Sequence, residues 1–480
     1  MMEMMLTPRR QNRSGVDILN QKKFHMPTAY TILFLLLILV AAATWIIPAG
    51  SYDYVDGVPV AGTYHTVEQN PQGVGDVLKA AFSGFYDAVD VCIFILMVGG
   101  FLGVVMKTGA VDAGVANIIR LLGGREKWLI PILMLLFGLG GTTYGMWEET
   151  MAFYPLLIPV FLAAGYDAVV GISVILLGAG AGVIASTVNP FATGIAAGFA
   201  GVSLGEGIVL RLLEWVAFEA AAIWFVMAYA AKVKKNPSKS VVGVGAGKIQ
   251  VSMDQQVPFT AKRKVIMALF TLTFLIMVYA VVPFDEMGLP LPTLGWWFPE
   301  LSALFLVAGV VIGLIDRMSE EELVEIYVAG CADLLGVAFI IGISRGITVL
   351  MNDGAITDTV LHWGEQALSG AGAISFTLLV FALYLPLTIL IPSSSGLATL
   401  SIPIVAPLGK FAGVGGDLVV TAFQSASGLV NIITPTAAVV MGALALGHVP
   451  YDRWVKYVWK LILWFLLLAL AFLVAGVLLG

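Results

Sequence analysis

The sequence predicts an all-α polytopic membrane protein, because its composition and the lengths of its apolar runs both fit that class. Of 480 residues, 59% are hydrophobic and 12% are charged, whereas a soluble domain carries about 25% charged residues. Apolar stretches such as Ala29–Ile47 and Leu461–Gly480 reach the roughly 18 residues that a helix needs to cross a bilayer. A membrane β-barrel would show short segments of alternating hydrophobicity instead.

The distribution of basic residues predicts the orientation of the first span. Residues 1–27 form a basic arm, and residues 28–80, the first span with its loop, contain no Lys or Arg before Lys79. Because basic residues favour the cytoplasmic side, the arm is expected in the cytoplasm and the loop outside, in a bacterial inner membrane. The first apolar run lacks a cleavage site after a short core, so it is expected to be retained as a span. The basic residues of the arm are Arg9, Arg10, Arg13, Lys22 and Lys23.

A second basic segment divides the chain into two parts. Residues 232–264 contain eight Lys or Arg residues and one Asp, together with Gly and Ser. This composition predicts a cytoplasmic basic linker.

The two parts share landmarks in the same order, which indicates an internal repeat. TGAVDAGV (108–115) aligns with DGAITDTV (353–360) at an offset of 245. YPLLIPV (154–160) aligns with IPIVAPL (402–408) at 248, which places two prolines on two prolines. The Asn-Pro pair at 189 aligns with the Thr-Pro pair at 434. Chance similarity between apolar segments is the alternative interpretation.

The repeat predicts the layout of the spans. Repeat 1 covers 81–231, with a re-entrant hairpin at about 128–163, a short lateral helix at 112–123 and a broken helix at STVNPFATG. Two scaffold spans occupy 265–327. Repeat 2 covers 328–480, with a hairpin at about 373–412 and a break at NIITPT. The repeats begin on opposite sides of the membrane, so their topology is inverted. Inverted repeats with broken helices are typical of secondary transporters, whose substrate sites lie at the repeat interface.

The two hairpin tips and the two breaks are expected to converge on one site. Half-helix N-termini favour a carboxylate, and unwound carbonyls and hydroxyls can coordinate a cation. The candidate substrate-binding residues are Trp147, Glu148, Glu149 and Thr150 at the first tip, Ser393, Ser394, Ser395 and Gly396 at the second tip, Asn189, Pro190 and Thr193 at the first break, and Asn431, Thr434 and Thr436 at the second break.

Two adjacent acids distinguish the first tip. At the offset of 248, Glu148 and Glu149 correspond to Gly396 and Leu397, so the carboxylates are not part of the shared scaffold. An ionisable residue within a membrane span is a candidate for function. The alternative is a pair at the cytoplasmic mouth with access to water. Neighbours on a helix point about 100° apart, so one acid can face the site while the other faces a helix. Which one faces the site stays open.

Arg345 is the basic complement, because it lies inside the apolar segment GVAFIIGISRGITVL. Its target is a substrate carboxylate, one of the two glutamates, or an internal ion-pair partner. Asp90 and Asp333 also lie in apolar segments and are expected to be structural or near an interface. Three further charged residues are expected at the edges of a span, namely Arg211, Glu214 and Glu219.

An enzyme is not expected, although the segment 342–346 matches the G-x-S-x-G pattern of serine hydrolases around Ser344. An intramembrane protease needs a base or a metal near the nucleophile. None of the four His residues lies deep in a clear span, and no His pair accompanies the two glutamates. We therefore expect no catalytic residue, no metal site and no cofactor, with sodium or proton coupling as the ion requirement. A channel or a membrane receptor is the alternative class.

Four segments resemble a known family: WEETMAFYPLLIP, STVNPFATG, PSSSGLATLSIPIVAPLG and NIITPT. They resemble the YfcC-like branch of the C4-dicarboxylate anaerobic carrier (DcuC-like) family, within the ion-transporter superfamily. The resemblance extends from about residue 28 to the end and implies two re-entrant hairpins, a homodimer and an elevator motion. In that superfamily the first hairpin commonly ends in Ser-Asn-Thr, and here WEET (147–150) departs from it. Some relatives in this branch are described as arginine/ornithine antiporters.

The expected function is therefore secondary active transport of a small carboxylate-bearing metabolite, with antiport of a basic amino acid slightly favoured. A dianion would be repelled by two ionised glutamates, whereas Arg345 would repel a cationic side chain if it faced the site. A C4-dicarboxylate or short-chain carboxylate carrier coupled to sodium or protons is the alternative. The expected partners are the small substrate, the lipid bilayer and a second copy of the chain, with no nucleic acid.

Overall fold

The computed structural model describes residues 29–56, 58–111, 113–114, 117, 125–143, 145–203, 205–243, 258–281, 284, 290–296 and 298–479. The basic arm 1–27 lies outside these residues, as do most of the expected lateral helix at 112–123 and residues 244–257 of the linker. The helices in the first part are α1 (Ala29–Ala43), α2 (Val74–Asp87), α3 (Val89–Lys107), α4 (Leu129–Thr143), α5 (Tyr154–Ala163), α6 (Ala168–Ile184), α7 (Ile195–Ala200) and α8 (Ile208–Lys235). Those in the second part are α9 (Ala261–Val281), α10 (Phe298–Asp316), α11 (Glu320–Asp353), α12 (Thr357–Leu368), α13 (Ala373–Leu390), α14 (Ser394–Phe411), α15 (Gly416–Asn431), α16 (Ala438–Leu446) and α17 (Tyr451–Leu479).

The helical class is confirmed. Five of the described helices, α3, α10, α11, α13 and α17, are long and apolar enough to cross a membrane. The loop after α1 adds two short antiparallel ladders that the sequence did not predict. Strand β1 (Gly50–Ser51) pairs with β4 (His65–Thr66), and β2 (Tyr54–Val55) pairs with β3 (Val58–Pro59).

Two long helical segments pack antiparallel along a seam of glycines. Helices α2 and α3, separated at Ala88, cover residues 74–107, and α11 covers residues 320–353. A Cβ atom on Gly84 would overlap the backbone at Gly342 and Gly346, and one on Gly99 would lie 2.5 Å from the carbonyl oxygen of Gly330. Small residues therefore let the two backbones approach closely, as at helix interfaces in membranes.

The first boundary of each expected repeat lies inside one of these helical segments. The first segment begins at Val74 and not at 81, and the second begins at Glu320 and not at 328. The first turns of α11 are acidic, so hydropathy does not detect them. They are helical because Ser319 Oγ caps the backbone N–H of Glu322, and because acids in a first turn suit the helix dipole.

Element boundaries repeat along the chain with a nearly constant offset. The segments 74–107 and 320–353 are offset by 246 at both ends. The helices that follow the tips, α5 and α14, both end at an offset of 248. Helix α6 corresponds to α15, and α8 corresponds to α17. The antiparallel packing of the two long segments agrees with inverted topology, and the orientation of each repeat relative to the membrane stays a prediction.

The two broken helices pack against each other through their C-terminal turns, next to their breaks. Gln424 Nε2 in α15 donates to the carbonyl oxygen of Val183 in α6 at 2.6 Å. A Cβ on Gly428 would lie 2.5 Å from Cα of Ile184, and a Cβ on Gly180 would overlap the side chain of Ile432. The breaks at 185–189 and 432–437 therefore lie next to each other.

The helices form two packed groups. The first helix group contains α1, α2, α3, α9, α10 and α11, built around the glycine seam. The second helix group contains the two hairpins and the two broken helices, α4–α8 and α13–α17. This separation matters because the hairpin tips of the second group face the first group, as described below.

Three charged residues of α8 are deeply buried within the protein, and their expected place at the edges of a span stays a prediction. Arg211, Glu214 and Glu219 are at most 2% exposed. Glu214 Oε1 accepts a hydrogen bond from Ser425 Oγ at 2.8 Å. The packing of α8 against α4, α6 and α17 turns these side chains inward.

Candidate functional site

The first hairpin tip is a sharp turn that places two acids at the start of a helix. Gly145 has φ +77°, and a Cβ there would lie 2.5 Å from both amide atoms of Asn189. Only glycine fits both this left-handed backbone and this close approach. Residues 148–153 then form a 3₁₀ turn that leads into α5. The tip is therefore pressed against the first break.

The two glutamates at this tip have different surroundings. Glu149 is 6% exposed, and its Oε2 accepts a hydrogen bond from the backbone N–H of Trp147 at 3.1 Å. Glu148 is partly exposed, and no ion pair joins it to a basic side chain among the described residues. Thr150 is fully buried, and its Oγ1 donates to the carbonyl oxygen of Trp147 at 2.5 Å. Thr150 thus closes the turn, and the glutamates face the cavity.

The second tip presents the N-terminus of α14. Ser393 is its N-cap, and its Oγ accepts from the backbone N–H of Gly396 at 3.2 Å. The hydroxyl oxygens of Ser393 and Ser395 lie 3.3 Å apart. The first turn of a helix has unpaired N–H groups and a partial positive charge, which favour an anion. When the two tips are aligned on the residues that precede their first helical turns, Trp147 corresponds to Ser393.

Aligned in this way, the counterparts of the two acids are Ser394 and Ser395. Aligned on the prolines at the offset of 248, they are Gly396 and Leu397. The second tip has two more residues between its N-cap and its first proline than the first tip, and the alignment on prolines did not take them into account.

The first break is tied to the end of α4. The backbone N–H of Thr187 donates to the carbonyl oxygen of Thr142 at 2.8 Å, and Thr142 Oγ1 donates to the carbonyl oxygen of Ala185 at 2.8 Å. Asn189 Nδ2 donates to Ser186 Oγ at 3.2 Å. Non-helical backbone inside a membrane needs such protein partners. Pro190 begins a π-helical turn, and Thr193 in that turn is fully buried.

The second break contains one polar group without a hydrogen-bond partner and several that are hydrogen-bonded. Asn431 Oδ1 is buried and has no hydrogen-bond partner among the described residues. The hydroxyl oxygens of Thr434 and Thr436 lie 2.8 Å apart. Ser344 Oγ donates to the carbonyl oxygen of Thr436 at 2.5 Å. Ser344 thus holds the break, and the glycines around it, Gly342 and Gly346, belong to the glycine seam.

The first helix group supplies the opposite wall. Asp87 and Asp90 flank the kink at Ala88, and Asp90 Oδ1 accepts from the backbone N–H of Val91 at 2.8 Å. Arg345 Nε lies 3.8 Å from Asp87 Oδ2. Asp90 was expected to be structural or near an interface, and it lines the cavity between the two helix groups. The sequence signal that was available is the position of both acids inside an apolar region.

Together these elements enclose a cavity of about 170 Å³ between the two helix groups. The candidate residues that line it are Trp147, Glu148, Glu149, Asn189, Arg345, Ser393, Ser394, Ser395 and Asn431. Thr436 lines a smaller adjoining space with Glu148 and Arg345. Thr150, Thr193, Gly396 and Thr434 are not among the residues that line either space. Six other lining residues were not among the expected site residues, namely Asp87, Ala88, Val91, Gly145, Val183 and Phe298.

The sequence is similar to a known protein family and to two bacterial proteins. The C4-dicarboxylate anaerobic carrier (DcuC) family matches residues 26–478. An uncharacterized protein of Haemophilus influenzae is 35% identical over 95% of this chain and 98% of its own. The Escherichia coli protein called "Putative basic amino acid antiporter YfcC" is 30% identical over 91% of this chain and 93% of its own.

Two solved structures were also found. The YdaH transporter of Alcanivorax borkumensis is 16% identical, with a TM-score of 0.42 over 92% of this chain and 98% of that chain. MtrF of Neisseria gonorrhoeae, described with a class of antimetabolite efflux pumps, is 17% identical, with a TM-score of 0.42 over 93% of this chain and 94% of that chain.

A polytopic helical chain with a charged cavity between two helix groups, matched over most of its length by carriers, is a membrane transporter. More narrowly, the chain belongs to the C4-dicarboxylate anaerobic carrier family, which confirms the family expected from its motifs.

Proposed function

We propose that this protein is a secondary active transporter that exchanges small amino acids with a cationic side chain. The observation that carries the proposal is the charge of the cavity. Four carboxyl groups line it, on Asp87, Asp90, Glu148 and Glu149, against the single guanidinium of Arg345. Arg345 is already offset by Asp87. Such a cavity attracts a cation and repels a dianion.

The two tips bind different parts of such a substrate. The N-terminus of α14 and the hydroxyls of Ser393 and Ser395 favour the substrate carboxylate. The acids of the opposite tip and of the Ala88 kink favour its cationic side chain. Glu148 is the better placed of the two tip glutamates, because Glu149 is held by the backbone of Trp147. The name of Escherichia coli YfcC proposes basic amino acid antiport for that relative.

The proposal extends to an elevator motion, in which the second helix group slides against the first. Its support is that the cavity lies between the groups, with both tips on one side and Asp87, Asp90 and Arg345 on the other. We also propose a homodimer in the bacterial inner membrane, with the basic N-terminal arm in the cytoplasm.

Counterflow tests this function directly. The full chain is reconstituted in liposomes preloaded with unlabelled arginine or ornithine, and uptake of labelled arginine is measured against protein-free liposomes. We expect saturable, protein-dependent exchange, which also distinguishes a carrier from a channel. Absence of exchange together with strong succinate or acetate uptake would contradict the proposal.

One observation favours a second candidate, a carrier of carboxylates coupled to sodium or protons. The Ser393–Ser395 turn at the N-terminus of α14 suits an anion, and Arg345 lies at the same cavity. The family as a whole is described as C4-dicarboxylate carriers. The succinate and acetate arms of the counterflow assay decide between the two candidates.

A further inference from the structure

Glu219 is a buried acid that lies outside the cavity. It lies in α8, is 2% exposed, and neither of its carboxyl oxygens has a hydrogen-bond partner among the described residues. A Cβ on Gly138 of α4 would overlap this carboxyl group, so the glycine leaves the space that the carboxyl occupies. The acid is thus built into the contact between α8 and the first hairpin.

The charged form of such a group is strongly unfavourable. Taking an ionised carboxylate out of water costs several kcal/mol unless it is paired or hydrogen-bonded. Glu219 forms no ion pair among the described residues. Its neutral, protonated form removes most of this cost. Ionisable residues buried in membrane proteins in this way often carry protons.

The surroundings of Glu219 keep it apart from other titrating groups. On its own helix, Glu214 lies five residues away, about 7.5 Å along the axis, and is engaged by Ser425. Arg211 lies further along, and Asp417 at the start of α15 approaches Arg211. Helices α4 and α6 carry no titratable side chain.

The remaining neighbour is α17. Opposite Glu219 it presents Phe465, which contacts Phe218. Its buried Tyr457 contacts Phe225 and Tyr229, further along α8. Its charged side chains lie at its N-terminal end on partly or fully exposed positions, namely Asp452, Arg453, Lys456 and Lys460.

A short chain of contacts links Glu219 to the first break. Gly138 also packs against Gly182 of α6, where an added Cβ would overlap the carbonyl oxygen of Gly138. One turn further along α4, Thr142 holds Thr187 of the break. Helix α4 therefore contacts Glu219 through Gly138 and the first break through Thr142.

We propose that Glu219 carries the proton to which net transport of the substrate is coupled, an inference that rests on the proposed transport function. Its carboxylate takes a proton from water on one side of the membrane and releases it to water on the other, so only an O–H bond forms and breaks. A cationic amino acid moving against this proton transfers no net charge. Exchange of one amino acid for another does not require the proton to leave.

Proteoliposomes of the full chain with a pH indicator inside test this proposal. In the wild type, we expect an arginine gradient to change the internal pH. In Glu219→Gln, we expect that change to fall at least about tenfold, while labelled arginine counterflow stays near wild type. Glu219→Asp retains a shorter carboxyl and should restore part of the pH change. Glu206→Gln, an exposed acid before the same helix, should behave as the wild type.

Four results would overturn the proposal or separate it from the proposed function. The proposal would be overturned if the pH change in Glu219→Gln were as large as in the wild type. It would also be overturned if the wild type exchanged arginine but an arginine gradient caused no pH change. Absence of arginine exchange in the wild type is instead a failure of the proposed function. In that case, infrared spectra still test whether Glu219 is protonated. The protonated-carboxyl band of the purified wild type at neutral pH should be reduced in Glu219→Gln and shifted in Glu219→Asp, and a Glu219→Gln band equal to that of the wild type would exclude a protonated Glu219.

Discussion

Nε of Arg345 lies 3.8 Å from Oδ2 of Asp87, across the helix seam that forms one wall of the cavity. Arg345 is the only basic side chain among the described residues that line the cavity. Its pairing with Asp87 lets the other three acids dominate the charge that a substrate meets. Of the three targets expected for Arg345, the structure contains the internal ion-pair partner, and contact with a substrate stays a prediction.

Asp87→Asn should weaken transport of a cationic substrate, because it leaves the charge of Arg345 without its partner. We expect KM for arginine to rise about tenfold, equivalent to about 1.4 kcal/mol. Uptake kinetics in proteoliposomes measure this. Asp333→Asn, an exposed acid on the same helix as Arg345, is the control and should leave KM unchanged. An unchanged KM in Asp87→Asn would mean that Arg345 does not act on the substrate.

Glu148→Gln and Glu149→Ala should separate binding from folding at the first tip. Glu148 makes no ion pair with the described residues, so Glu148→Gln should raise KM for arginine about tenfold without lowering Tm. Glu149→Ala removes the acceptor of the Trp147 N–H and should lower stability by about 2 kcal/mol. Thermal unfolding in detergent and uptake kinetics are measured on both. Identical behaviour of the two variants would contradict this division.

Gly145→Ala should disrupt the first tip and the transport that depends on it. The substitution places a Cβ 2.5 Å from the amide of Asn189 and requires L-residue backbone at φ +77°. The left-handed backbone alone costs about 1–2 kcal/mol. Gly165→Ala is the matched control, since it has φ +84° but nothing within 4 Å of an added Cβ. We expect both to lower Tm and only Gly145→Ala to abolish counterflow. Loss of counterflow in both would indicate a general folding defect.

Gly84→Ala should destabilise the protein, whereas Gly75→Ala on the same helix should not. A Cβ on Gly84 overlaps the backbone of α11, and nothing lies within 4 Å of a Cβ on Gly75. Replacing an exposed helical glycine by alanine gains up to about 1 kcal/mol. The two variants should therefore shift Tm in opposite directions in detergent. A higher Tm for Gly84→Ala would show that the seam has space for a methyl group at this position.

Much of the fold could be predicted from the sequence, because apolar length and local breakers act within a single segment. Both hairpins, both breaks and the glycine-rich helices follow from run lengths and from Pro and Gly positions. Hydropathy did not predict the start of α11, because its first turns are acidic, and α2 carries Asp76 and Lys79 in its first two turns. A cap such as Ser319 and acids in a first turn form helix without adding hydropathy.

Membership of the site was predictable only in part. Glu148, Asn189, Ser393 and Asn431 lie at tips and breaks, where the chain is interrupted and polar groups point away from lipid. The same logic also favours Thr434, whose hydroxyl pairs with Thr436 inside the break and which is not among the residues that line either space.

The sequence by itself determined the helices, the interruptions and the presence of two acids at the first tip. These depend on properties of neighbouring residues, such as hydropathy and backbone freedom. Only the tertiary structure decided that Asp87 and Asp90 join those acids, and that Glu219 lies buried against Gly138. Which face of a helix becomes a cavity wall depends on a partner hundreds of residues away. Close packing and the cost of burying a charge both depend on contacts between segments that are distant in the sequence.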